Sequence, residues 1–165
     1  MSKKIIIIVA AIVVVLAVVA VCFFAGKGEK NVEGTLEDLM TKLYAGISED
    51  NLPMGLSNME INAENVESFI GTAEVKYTEA LANESMVGAI AHSVVLLRTE
   101  NVVAAENAVE VIKANVNPRK WICVEASNVV VKSKGDLVIL IMADTEMTTA
   151  EEAIAPKLEA NFDNL

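Results

Sequence analysis

Hydrophobic and polar positions divide the chain into one long apolar block followed by a succession of short helical and alternating periods. Residues 5–24 are apolar without interruption, Ile5 the first and Phe24 the last, and Lys3 and Lys4 precede them. At about 1.5 Å per residue, a helix of this length spans roughly 30 Å, the thickness of bilayer hydrocarbon. The pattern predicts an N-terminal transmembrane helix, an uncleaved signal anchor over residues 1–24. A cleaved signal peptide has a shorter apolar core and a small-x-small site, and the candidate site ending at Ala25 places bulky Phe23 where a small residue is wanted. A lipoprotein signal needs a small residue before Cys22, and Val21 stands there.

Residues 25–34 (AGKGEKNVEG) read as a polar, glycine-containing tether, reaching at most roughly 35 Å. The pattern of residues 35–165 is that of one folded domain. Thr35 caps a helix whose apolar positions Leu36, Leu39, Met40, Leu43, Tyr44 and Ile47 recur at spacings of three and four. Residues 48–53 break it. A short helix is expected over 63–70, capped by Asn62 and stopped by Gly71. The period then changes. A strand is expected from Val75 to about Ala82 and another over 90–98, joined by a turn near 83–85, although 86–91 also fits a helix.

Val102, Ala105, Val109, Ile112 and Val116 share one face of a helix over 102–115, ended by Asn117 and Pro118. Residues 121–125 and 128–132 are strand-like, 133–136 form a tight turn, and 137–142 are a solidly apolar strand. Thr149 and Glu152 form a capping box for a last helix that Pro156 interrupts. The expected fold class is α+β: a mainly antiparallel sheet of about four strands with three to four helices, the helices covering one face.

Charge narrows the partners. Residues 31–165 carry nine basic and twenty-two acidic side chains, a net charge of −13. Nucleic-acid affinity comes from neutralised phosphates, so no nucleic-acid partner is expected. The membrane itself is the predicted contact, through the single-pass anchor. Lys3 and Lys4 on one side and Lys27 and Lys30 on the other balance the positive-inside count, and the α-amino group tips the N-terminus inward. The domain is therefore expected outside the cytoplasm. Cys22 lies in the apolar run and Cys123 in the domain, so the domain holds no disulfide pair. Cys123 is expected to pack as a small buried hydrophobe.

Three segments carry a resemblance. PRKWICV at 118–124, AHSVVLLR at 91–98 and KGDLVIL at 134–140 resemble a family of uncharacterised clostridial and related Firmicutes proteins. These are small lipoproteins or single-pass membrane proteins with one domain of unknown function. The resemblance covers roughly residues 35–160 and implies a bacterial envelope location. It supplies no catalytic motif.

Candidate chemistry is sparse. His92 is the only histidine, and its neighbour Ser93 points to the opposite face of a strand, so the two do not form a nucleophile–base pair. One histidine and one domain cysteine leave no typical zinc site. The acidic runs 49–51 and 144–146 lack the spacing of a calcium loop. No catalytic residue, metal or cofactor is assigned. The site candidate is a ligand- or partner-binding patch of Arg119, Lys120 and Trp121, two cations beside an indole in an acidic domain, with Arg98 as a further member. The functional expectation is a membrane-anchored extracytoplasmic module that binds or scaffolds another envelope protein, a wall component or a small ligand. The alternatives are an envelope enzyme of unfamiliar type using His92 and carboxylates, or a cytosol-facing subunit of a membrane complex.

Overall fold

The computed structural model describes residues 31–144 and 154–165. The apolar run over 5–24 and the Thr149–Glu152 capping box lie outside them. No helix among the described residues is long and apolar enough to cross a membrane.

Thr35 accepts a hydrogen bond from the Asp38 amide at 3.2 Å and starts α1, Leu36–Leu43. After a 3-10 turn at Glu49–Asn51 the chain enters β1, Leu56–Glu60. Helix α2, Val66–Ile70, ends at Gly71 with φ +81. That glycine is needed twice over. A left-handed φ disfavours any side chain, and a Cβ here would lie 2.1 Å from the Asn115 carbonyl oxygen. Strands β2, Glu79–Ser85, and β3, His92–Arg98, form an antiparallel pair. Asn101 caps α3, Val102–Asn115, and β4, Asn128–Lys134, turns through Gly135 and Asp136 into β5, Leu137–Ala143. Helix α4, Ile154–Asp163, completes the described chain.

The sheet is antiparallel throughout, in the order β1-β2-β3-β5-β4. Among the described residues it therefore has five strands where the sequence pattern suggested about four, within the expected α+β class. Residues 121–125 are not one of them. Ile122 is 98% exposed there, and β-propensity alone does not make a strand without a pairing partner. Strand β2 starts at Glu79 rather than Val75, because its register is set by Glu79 opposite Arg98. Residues 83–85 continue that strand, and the turn comes after them.

Helices cover both faces of the sheet, not one. Ala82, Val95, Leu97, Leu140 and Met142 pack beneath α2 and α3. Leu81, Val94, Leu96, Ile139 and Ile141 pack beneath α1 and α4. Strands β3 and β5 lie centrally and are buried on both sides, which is why they read as unbroken apolar runs rather than alternating ones. Helix α4 runs on through Pro156, which is third in its described span and does not interrupt it. Lys132 of β4 fastens α4 to the sheet, 3.1 Å from Glu159 and 2.7 Å from Asp163.

Candidate functional site

The two ends of the sheet have different characters. At one end a set of hydrogen bonds holds the start of the domain. Arg98, last in β3, lies 2.6 Å from Glu79 and 3.0 Å from Asp136. Its remaining donors reach the carbonyls of Val32 at 2.7 Å and Gly34 at 2.8 Å. Asp136, buried in the β4–β5 turn, accepts from the Val32 amide at 2.9 Å. Burial works against the Arg98 charge, but Glu79 and Asp136 outweigh it and leave its pKa above the ordinary value. Arg98 thus acts as a clamp on residues 32–34.

The opposite end gathers the loops after β2, α3 and β5. Lys120 reaches from the loop after α3 to the Glu84 carboxylate on β2, forming a short ion pair. Its ammonium lies 3.3 Å from the Ser93 hydroxyl, 5.0 Å from the Phe69 ring centre and 5.2 Å from that of Trp121. Ser93 in turn donates to Glu84 at 2.5 Å. Burial pushes the Lys120 pKa down, and Glu84 pulls it part of the way back. Lys120 and Glu84 line a groove of about 470 Å³ together with Met59, Glu67, Phe69, Gly71, Asn117 and Trp121.

Of the sequence-predicted patch, Lys120 and Trp121 therefore share a site. Arg119 is exposed beside them and pairs with Glu125 at 3.0 Å. Arg98 is not with them: it lies five residue steps along the strand from Ser93, about 17 Å at strand rise. Sequence reasoning missed Glu84, Ser93 and Phe69, whose approach to Lys120 depends on sheet register and on α2 packing. A serine beside a lysine is the raw material of a nucleophile–base pair. Here Ser93 is wholly buried, its proton is committed to Glu84, and it does not line the groove.

A second concavity lies at the same end, on the α1 and α4 side. About 250 Å³ in volume, it is lined among the described residues by Leu52, Pro53, Met54, Ile90, Ala91 and Ile154, with Asp50, Asn51, His92 and Asp144 as its polar members. His92 is 1% exposed, and its Nε2 lies 2.7 Å from the Tyr44 hydroxyl at the end of α1. Burial lowers the His92 pKa to about 4 and pushes the Tyr44 phenol far up, so both are neutral at ordinary pH. Among the described residues no group of three or more His, Cys, Asp or Glu is arranged to hold a metal ion.

Exposed apolar side chains collect here too. Met54 is 70% and Met86 68% exposed, and Ile122, Val87 and Val129 belong to the same end. Val103, near the start of α3, is the large exposed apolar side chain of the described residues that lies towards the clamp. Cys123 is exposed in the loop beside Ile122, not buried as its apolar neighbours suggested. No protein-family model, curated protein or solved structure matches the chain.

Proposed function

We propose that the chain is a membrane-anchored, extracytoplasmic binding module of the bacterial cell envelope, which engages another envelope protein or a wall component at the Lys120–Trp121 end. The observation that carries this reading is the polarity of the domain. Arg98 and Asp136 fix residues 32–34 at one end of the sheet, while the groove and the exposed apolar side chains lie at the other. If residues 5–24 span the bilayer, seven residues, 25–31, remain between membrane and clamp, at most about 25 Å of chain. The clamped end then sits at the bilayer, and the end bearing Lys120, Trp121, Met54 and Met86 faces outward. The resemblance of 91–98, 118–124 and 134–140 to a clostridial family supports the envelope setting.

An envelope enzyme centred on His92 is the second reading, favoured by Asp50 and Asp144 lining the same cavity. Binding is preferred because the hydrogen bond that orients His92 comes from the Tyr44 phenol rather than a carboxylate. The test is site-specific photocrosslinking of the intact protein in cells. A crosslinker at Met86 or Ile122 is expected to trap the same envelope component, lost with Lys120→Glu, while one at Lys134 traps none. Equal crosslinking from both ends of the sheet overturns the reading.

A further inference from the structure

We propose that the cavity on the α1 and α4 side takes a small organic ammonium ion, a compact hydrocarbon body carrying one positively charged nitrogen. The walls specify the body. Leu52, Pro53, Met54, Ile90, Ala91 and Ile154 make up six of the ten described lining residues. Ile90, Ala91 and Ile154 are buried, whereas Met54 is exposed and Leu52 and Pro53 are half-buried, so the cavity is apolar behind and opens past the loop before β1. A cavity of about 150 Å³ accommodates benzene, and the 250 Å³ here leaves room for a six-membered ring with a substituent. Apolar walls with a few polar groups to fix orientation are the usual composition of a small-molecule pocket.

Charge specifies the head group. Asp50 and Asp144 line the same cavity, and among the described residues no Lys or Arg does. Asp50 is exposed and Asp144 half-buried, so the negative charge stands on the solvent side and the apolar residues form the interior. Asp144 also accepts from the Ser127 hydroxyl at 3.2 Å, which ties it to the start of β4. A ligand carboxylate meets like charge here, in a domain of net charge −13, while a cation is drawn in. Pairing with solvent-exposed carboxylates is worth only about a two- to fivefold gain in affinity. Burial of the hydrocarbon therefore supplies most of the binding, and the carboxylates choose the ligand.

His92 lines the cavity as well, but it is 1% exposed and supplies no contact to the ligand. Binding here is also independent of the function proposed above. The groove of Lys120 and Trp121 lies on the opposite face of the sheet, and the cavity is the same whichever side of a membrane the domain occupies.

The test titrates the intact chain, labelled with 13C at its methionine methyls and held in nanodiscs of zwitterionic lipid, with cyclohexylmethylamine, cyclohexylmethanol and cyclohexanecarboxylate. The amine is expected to shift the Met54 methyl saturably and to leave unmoved the methyl of Met59, which lines the other groove. The alcohol is expected to bind at Met54 about two- to fivefold more weakly than the amine, and the carboxylate about tenfold more weakly or worse. Asp50→Asn should weaken the amine about two- to threefold and leave the alcohol unchanged. Glu106→Gln, which removes the same charge from the exposed surface of α3, should change neither. No saturable shift at Met54, an equal shift at Met59, alcohol or carboxylate binding as tight as the amine, or equal effects of the two substitutions each overturns the proposal. Should Asp50→Asn fail to fold, the three-ligand comparison on the unaltered chain decides alone.

Discussion

A lone buried histidine makes the domain acid-labile in a window that few other groups share. His92 is held near pKa 4 by burial, while in the unfolded chain it returns to about 6.5. The unfolded state therefore takes up the proton first, and protonation draws the equilibrium towards it. The stabilising contribution is whole above about pH 6.5, declines as pH falls, and is gone below about 4. Integrating between those values, the domain loses about 2 kcal/mol from pH 7 to pH 5 and about 3 kcal/mol by pH 4. Ordinary carboxylates titrate mostly below pH 5, so the first of these losses belongs largely to His92. Against a typical domain stability of about 5–15 kcal/mol, 2 kcal/mol is readily measured. The assay is urea unfolding of the intact chain in a non-ionic detergent, followed by the fluorescence of Trp121, its single tryptophan. His92→Gln should be less stable than the unaltered chain at pH 7 and should approach it by pH 5. Parallel pH profiles for the two proteins, or an NMR titration midpoint for His92 near 6.5, refute the reasoning.

Three further outcomes follow from the packing. Asp136→Asn leaves Arg98, whose side chain is only 15% exposed, without its buried counter-charge. It should cost about 3 kcal/mol and speed hydrogen exchange at the Val32 amide, and unchanged exchange there contradicts the clamp. Lys120→Met strands Glu84, whose side chain is 13% exposed, at a cost of about 3 kcal/mol. Adding Glu84→Gln should recover most of the loss in a double-mutant cycle, whereas additive losses dissolve the pairing. Gly71→Ala combines a left-handed backbone with a 2.1 Å approach to the Asn115 carbonyl. It should destabilise by more than about 2 kcal/mol in thermal unfolding, and a neutral result contradicts the α2–α3 contact.

Local signals made some elements legible and left others hidden. Helix α3 is bounded as its sequence suggests, because Asn101 caps it and its apolar positions keep a helical period. Strand β5 is apolar throughout, and Gly135 marks the turn before it. Strand β1 was not foreseen. Its five residues, LSNME, are half-exposed at a sheet edge, and pairing with β2 rather than composition makes them a strand. The covering of both sheet faces was implicit in the unbroken apolar runs of β3 and β5, a signal outweighed by the hairpin connectivity.

In the site, Lys120 and Trp121 stood out as cations beside an indole, but their partners Glu84 and Ser93 come from other strands. Arg98 looked like a companion because it ends a strand. It ends it on the wrong side of the sheet, and only the pairing of Arg98 with Leu137 and Glu79 reveals that. The bond between Tyr44 and His92 joins residues 48 positions apart, and nothing local announces it.

The measurement that bears most directly on the proposed function uses the exposed thiol of Cys123. In cells expressing the chain with Cys22→Ser, a membrane-impermeant maleimide added to intact cells should label Cys123, with a cytosolic control protein left unlabelled. That result places the domain outside the membrane, with the Lys120–Trp121 end open to envelope partners. Labelling of Cys123 only after the cells are permeabilised contradicts the account and puts the domain in the cytosol.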